Sequence, residues 1–184
     1  NPDGTKYSGD ITIPYAVPYI GKRGTITFTV TSIADSAFFR CKELTSIDLP
    51  TSIAVIGKES FRDCALLKSI ELPNITNVPY NAFADCRELE SVDISNVTTI
   101  DKYAFYDCRS LASVDLPNVT SIGDSAFYRA LGLTEVYLPE VLTIGISSLS
   151  YCSHLVKIDL PKLQSIPMFA FSSDSELVTL ILRS

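Results

Sequence analysis

Asn96-Val-Thr-Thr-Ile-Asp-Lys-Tyr-Ala-Phe-Tyr-Asp-Cys-Arg-Ser-Leu-Ala-Ser-Val-Asp-Leu-Pro117 is one copy of a phrase that this chain states seven times. The next copy opens Asn118-Val-Thr-Ser-Ile-Gly-Asp-Ser-Ala-Phe127. Aligning the copies puts Phe38, Phe61, Phe83, Phe105, Phe127, Leu149 and Phe171 in one slot, spaced by 22 residues except for a first interval of 23. The extra residue falls at Thr51-Ser52. Self-similarity at a fixed period of this size marks a stack of coils, each too small to bury its own apolar face. The fold question is how one copy coils. The functional question is what the stacked surface touches.

Within each copy the pattern Leu-x-x-Ile/Val-x-Leu recurs, from Leu44, Ile47 and Leu49 through Leu111, Val114 and Leu116 to Leu177, Leu180 and Leu182. Its last three residues alternate apolar, polar, apolar, as a half-buried strand does. Pro50, Pro73, Pro117, Pro139 and Pro161 follow that strand in five copies, and proline ends a strand because it cannot donate to a ladder. A second apolar pair, such as Ile75 and Val78 or Val119 and Ile122, predicts another short extended run. The next residues, such as Asp124-Ser125-Ala126-Phe127, read as a turn of helix whose polar side chains accept from the free N–H groups of its first turn. The small residues Ala37, Ala82, Ala104, Ala126 and Ala170 beside the Phe slot allow close approach of neighbouring coils.

The expected architecture is an α/β repeat solenoid. It is a right-handed array of about seven 22-residue repeats over residues 31–184, with short strands and short helical turns, forming one continuous domain. Residues 1–30 are not a copy. Ile11-Thr12-Ile13-Pro14 and Thr25-Ile26-Thr27-Phe28-Thr29-Val30 alternate like strands on either side of Gly21-Lys22-Arg23-Gly24, and predict an N-terminal β-hairpin cap with a frayed start over residues 1–8. After Leu182 no capping pattern follows, so either the array continues or another subunit covers that edge, since an open apolar edge invites pairing.

Composition narrows the partners. The chain has 184 residues, 46% hydrophobic and 20% charged, and a net charge of −6, which describes a folded protein rather than a disordered tail. Its acidity disfavours nucleic acid and anionic membranes. No apolar run approaches the roughly 18–20 residues that span a bilayer, so no membrane insertion is expected. The chain opens on Asn1 with no signal-like segment, which leaves its compartment open.

Five cysteines, Cys41, Cys64, Cys86, Cys108 and Cys152, all fall three residues after the Phe slot, where Ala130 and Asp174 stand in the other two copies. An odd number in one repeating position is not a disulfide framework. Stacked side chains also point in the same direction rather than at one another. The expectation is a column of buried free thiols, acting as small hydrophobes. With no C-x₂-C pair and His154 the one histidine, no metal site is expected, and no cofactor.

The Leu-x-x-Leu-x-Leu spacing is that of leucine-rich repeats. The linked phrase Thr120-Ser121-Ile122-Gly123-Asp124-Ser125-Ala126-Phe127, with its Cys slot and Leu-Pro strand end, closely resembles the BspA-type leucine-rich repeat family of surface proteins in Bacteroides-like bacteria and some mucosal protozoa. The resemblance runs from about residue 31 to 182, and Gly9-Asp10-Ile11-Thr12-Ile13-Pro14 resembles the family's N-terminal cap. Ala130-Leu131-Gly132 and Gly145-Ile146-Ser147-Ser148-Leu149 depart from its pattern. The resemblance implies a secreted or surface-anchored adhesion module, in some members binding host matrix proteins.

Along the strand face the residue between the last two apolar positions points away from the core. In order it is Asp48, Glu71, Asp93, Asp115, Tyr137, Asp159 and Ile181, beside Ser46, Ser69, Ser91, Ser113, Glu135, Lys157 and Thr179. Stacked carboxylates about 4.8 Å apart repel, and a cationic ligand would relieve that repulsion. The strip is therefore a candidate site for a basic protein segment or a divalent cation; equally, it is a solvated consensus that keeps the sheet soluble. Tyr137, with Glu135 beside it, breaks the acid row where a dedicated contact could be built, since tyrosine is favoured at interface hot spots. Repeat drift would give the same break. Phe39, Tyr106 and Tyr128 form an outer aromatic strip, readable as an adhesive ridge or as packing.

Enzymatic activity is not expected, because a regular carboxylate ladder supplies neither unequal environments nor a cleft. Asn74-Ile-Thr76, Asn96-Val-Thr98 and Asn118-Val-Thr120 match the glycosylation acceptor pattern, but their common register marks them as part of the repeat. The reading is an extracellular protein-binding or adhesion module at a bacterial cell surface. The alternative is a structural or assembly scaffold that docks through its C-terminal edge onto a further domain or a second copy of itself.

Overall fold

The computed structural model describes residues 7–21 and 24–182. Lys22 and Arg23 of the predicted hairpin turn, and residues 1–6 of the segment expected to fray, lie outside the described residues, as do residues 183–184. Fifteen strands are present among the described residues, numbered here in chain order. Three precede the array: β1 (Gly9–Thr12), β2 (Ala16–Gly21) and β3 (Gly24–Thr29). The Leu-x-x-Ile-x-Leu segments supply one row: β5 (Leu44–Asp48), β7 (Ser69–Glu71), β9 (Ser91–Asp93), β12 (Glu135–Tyr137), β14 (Lys157–Asp159) and β15 (Thr179–Ile181). The second apolar pair supplies another row of two-residue strands: β4 (Ser32–Ile33), β6 (Val55–Ile56), β8 (Asn77–Val78), β10 (Thr99–Ile100), β11 (Ser121–Ile122) and β13 (Thr143–Ile144).

All pairing inside the array is parallel and follows the sequence period. Asn77, Thr99, Ser121 and Thr143 are successive partners across β8, β10, β11 and β13. Glu135, Lys157 and Thr179 are partners across β12, β14 and β15. Ser32 pairs with Val55, so the extra residue at Thr51-Ser52 is absorbed between strands without shifting which side chains point inward. The long row is not continuous. β5 pairs with β1, β7 pairs with β9, and Ser113-Val114-Asp115 of the fourth copy form no strand. Before the array, β2 and β3 pair antiparallel, and β1 lies parallel to β5. Ile11 and Ile13 pack on the core, whereas every residue of β3 is exposed.

The predicted helical turns are corrected: the described residues contain no helix. The segment around each Phe slot has positive φ two residues before and two residues after it, as at Ser125 (51°) and Arg129 (60°) or Tyr103 (60°) and Asp107 (57°). A left-handed residue every fourth position cannot continue a right-handed helix. Its amides alternate in purpose instead. Ser125, Phe127 and Arg129 donate to Ile146, Ser148 and Ser150 of the next coil at 2.8–3.0 Å, while Ala126, Tyr128 and Ala130 close turns onto Gly123, Ser125 and Phe127. Of the residues read as a helix start, Ser125 stands in left-handed backbone, while Asp124 accepts from the Ile146 N–H of the next coil at 3.0 Å.

The core is a set of parallel columns. Phe38, Phe61, Phe83, Phe105 and Phe127 stack with ring centroids 5.2–5.4 Å apart and planes within 10°, and Tyr7 tilts against Phe38 at one end. Leu149 continues the slot, fully buried but without a ring. Leu44, Leu67, Leu89, Leu111, Leu133 and Leu155 are fully buried beside them. Coils approach closely enough that a Cβ on Gly145, in the slot also held by Gly57 and Gly123, would lie 2.3 Å from the backbone nitrogen of Asp124.

Candidate binding faces

The thiol column is structural. All five cysteines are free and buried. Cys64, Cys86, Cys108 and Cys152 each donate Sγ–H to the carbonyl of a slot phenylalanine one coil earlier, at 3.0–3.3 Å. Burial pushes the Cys64 thiol up to about 12, and Cys86, Cys108 and Cys152 also rise by burial, so little nucleophilic thiolate forms near neutrality. The acceptor-pattern asparagines are structural too. Asn74, Asn96 and Asn118 donate Nδ2 to Thr51, Pro73 and Ser95 carbonyls of the preceding coil, at 2.6, 2.6 and 3.0 Å. Thr98 and Thr120 donate their hydroxyls to the Thr76 and Thr98 carbonyls.

The strand face carries the sequence-predicted residues. Asp48, Glu71, Asp93 and Asp115 are exposed, and Asp159 is half-buried. Glu71 and Asp93 are register partners, as are Tyr137 and Asp159. Tyr137 is 61% exposed. Glu135 lies 3.8 Å from Lys157, which offsets its charge. The row is thus brought onto one face, but it falls into three groups, since β5 and β7 do not pair and the fourth copy lacks a strand. Where β5 and β7 lie side by side without joining one sheet, a shallow hollow of about 220 Å³ opens, with Asp48, Glu71, Ser46 and Ser69 on its rim. Beside it, Asp10 accepts from the Thr45 and Ser46 hydroxyls at 2.8 and 2.7 Å, Ser46 first and Thr45 second in holding its carboxyl below the ordinary value.

A second charged row on the turn face was missed in the sequence. Asp63, Asp85 and Asp107 occupy the position two after the Phe slot, and arginines and a lysine from neighbouring coils interleave with them. Asp107 is buried and meets Arg87 at 3.2 Å, Arg109 at 2.9 Å and Arg129 at 3.4 Å. Burial, then Asp107, pushes the Asp85 carboxyl up, against the pull of Arg62 and Arg87. The signal was present as aspartate recurring at one register position; it was hidden because a helix reading sends those side chains elsewhere. Among the described residues no group of three or more His, Cys, Asp or Glu is placed to hold a metal ion, and no helix is long and apolar enough to cross a membrane.

The period, parallel register and columnar core coincide with a match to the family model for the BspA type leucine-rich repeat region, in six copies over residues 22–118 and 76–184. The chain belongs to that family. Among solved structures, a leucine-rich repeat protein from Bacteroides ovatus is 27% identical with a TM-score of 0.84, covering 97% of this chain and 48% of that one. A T. pallidum leucine-rich repeat protein is 22% identical with a TM-score of 0.60, covering 95% and 68%, and speaks for the fold alone. This BspA-type chain spans about half the length of the Bacteroides ovatus protein. No curated protein matches it.

Proposed function

We propose that this domain is an extracellular protein-binding module of a bacterial cell surface, and that it engages its partner through the strand face. Leucine-rich repeat solenoids typically serve as non-enzymatic binding modules, and membership of the BspA-type family supports that class. One observation carries the choice of face: Asp48, Glu71, Asp93 and Asp115 stand exposed on it, with Tyr137 exposed where the row changes character. Such an arrangement suits a basic segment anchored by an aromatic contact. Residues 1–30 complete the array at its start as a capping element.

The test is binding of the purified domain to immobilised host matrix proteins, with and without calcium and over a range of salt. Saturable binding that weakens with salt is expected, and it should be lost when Asp48, Glu71, Asp93 and Asp115 are changed to Asn or Gln. Unchanged binding by that variant would remove the strand face from the proposal. A second reading rests on the last coil, where Met168, Phe169, Val178 and Leu182 are 65%, 61%, 82% and 44% exposed. In that reading the edge docks onto further protein, and light scattering would show association rising with concentration.

A further inference from the structure

The turn face bears a cluster that the strand-face proposal does not use. Tyr80, Tyr103, Tyr106, Tyr128 and Tyr151 form one chain of ring contacts with centroids 5.1–6.1 Å apart. They are not copies of one repeat position. Tyr80 lies three residues before its Phe slot, Tyr103 two before, Tyr106 and Tyr128 one after, and Tyr151 two after Leu149. Side chains from four register positions thus converge on one surface, which a drifting consensus would not arrange. Tyr103 has a slot with φ near +60° in every coil, filled by the smaller or polar Ser36, Glu59, Asn81, Ser125 and Ser147 in five others and by a second ring at Phe169. A bulky ring at left-handed backbone is costly, so the residue is held there against local preference.

Along this chain the ring geometry changes twice: Tyr151 tilts 49° from Tyr128, and between Tyr106 and Tyr103 stacking gives way to edge contact. Tyr106 and Tyr128 stack with planes 2° apart, whereas Tyr103 stands at 88° to Tyr106 and Tyr80 at 70° to Tyr103. A hollow of about 320 Å³ opens at the second change, lined by Tyr80, Tyr103 and Tyr106 with Arg62, Asn81 and Asp85. Its size is at the lower end of ligand pockets, which run roughly 300–1,000 Å³. Arg62 and Asp85 bring opposite charges into it, with Arg62 Nε 3.9 Å from Asp85 Oδ2, so neither an anion nor a cation is favoured. Asp85 already faces Arg62 and Arg87 at 3.9 Å each, so the rings are not accompanied by a free carboxylate that would draw an ammonium group onto them. What remains is a small, near-neutral ligand with apolar faces for the rings and hydroxyls for the guanidinium, amide and carboxylate.

We propose that this hollow binds a short neutral saccharide, with a sugar ring stacked on tyrosine and its hydroxyls bonded to Arg62, Asn81 and Asp85. The proposal is independent of the strand face. The experiment titrates the domain with N-acetyllactosamine, cellobiose, mannobiose and maltose, read by saturation-transfer NMR and by tyrosine fluorescence, which no tryptophan obscures. At least one disaccharide is expected to saturate. Its affinity should fall roughly tenfold or more in Tyr103→Ser and in Asp85→Asn, the loss expected of a hot-spot contact. Serine is native to the Tyr103 slot in three other coils and asparagine tolerates left-handed backbone, so both variants should keep the circular dichroism of the parent. Tyr103→Phe, which keeps the ring, should retain most of the binding, and the Asp48→Asn, Glu71→Gln double variant should retain all of it. Silence toward all four sugars at millimolar concentration in a folded domain would overturn the proposal, as would equal binding by Tyr103→Ser or loss confined to the strand-face variant.

Discussion

Truncating Phe105 to alanine tests the columnar core most directly. The ring is fully buried and lies 5.3 Å from Phe83 and 5.2 Å from Phe127. Phe→Ala in a core costs about 3–5 kcal/mol, depending on how far the site collapses. Collapse is restricted here, because the coils on both sides are pinned by Phe83 N–H to Ala104 and Phe105 N–H to Ala126, each at 2.8 Å. Two ring pairs are also broken, in a class worth about 0.5–1.5 kcal/mol each. The upper half of the range is expected, about 4–5 kcal/mol. With a urea dependence near 2 kcal/mol per molar, the unfolding midpoint should fall by about 2 M. Phe105→Leu is the control, because Leu149 occupies the same slot one coil beyond Phe127 and is fully buried; it breaks the same two ring pairs but leaves a smaller cavity, so it should cost about 1–3 kcal/mol. Far-ultraviolet circular dichroism follows the transition. A shift below about 0.5 M for the alanine variant, or equal shifts for alanine and leucine, would refute the packing argument.

Two further outcomes follow from the Cys slot. The five thiols should be silent to a thiol-titrating reagent in the native protein and all react in guanidinium; a rapidly titrating native thiol would contradict their burial. Asp174 replaces cysteine in the last coil, and burial raises its carboxyl to about 7, offset in part by the Cys152 N–H that it accepts at 2.8 Å. Unfolded, it titrates near 3.8, so between these values the folded chain binds the extra proton and stability falls as pH rises from about 4 to about 7. Asp174→Asn keeps the acceptor and removes the titration: its melting temperature should match the parent near pH 4 and exceed it near pH 8, and parallel curves would sink the idea.

The array was readable from the sequence because its signal is repeated: one apolar position is ambiguous, but seven in register are not. Ile47, Ile70 and Val136 all fall on the inward side of their strands, as the alternation requires. The Phe segment misled for a physical reason. Helix caps and left-handed turns draw on the same Asp, Ser and Asn, and what separates them is the direction of each amide, here supplied by the next coil and invisible within one copy. The strand-face acids were legible because each lies between two inward apolar positions of a strand and recurs at the repeat period. The tyrosine hollow was not, since Tyr80, Tyr103 and Tyr106 reach it from different register positions and align only once the turns are built.

The constant offset of the inter-coil bonds has a consequence for how such a protein can grow. Asn96 reaches back 23 residues, Thr120 reaches back 22 and Cys108 reaches back 25; no bond in these columns spans more than about one coil. Each closure therefore traps a loop of similar length, with an entropic cost near (3/2)RT ln 22, or roughly 3 kcal/mol. That cost is the same for the first coil and the last. A chain twice as long, as the Bacteroides ovatus relative is, faces more closures but none harder, so such a fold can lengthen by whole coils without slowing the step that builds each one.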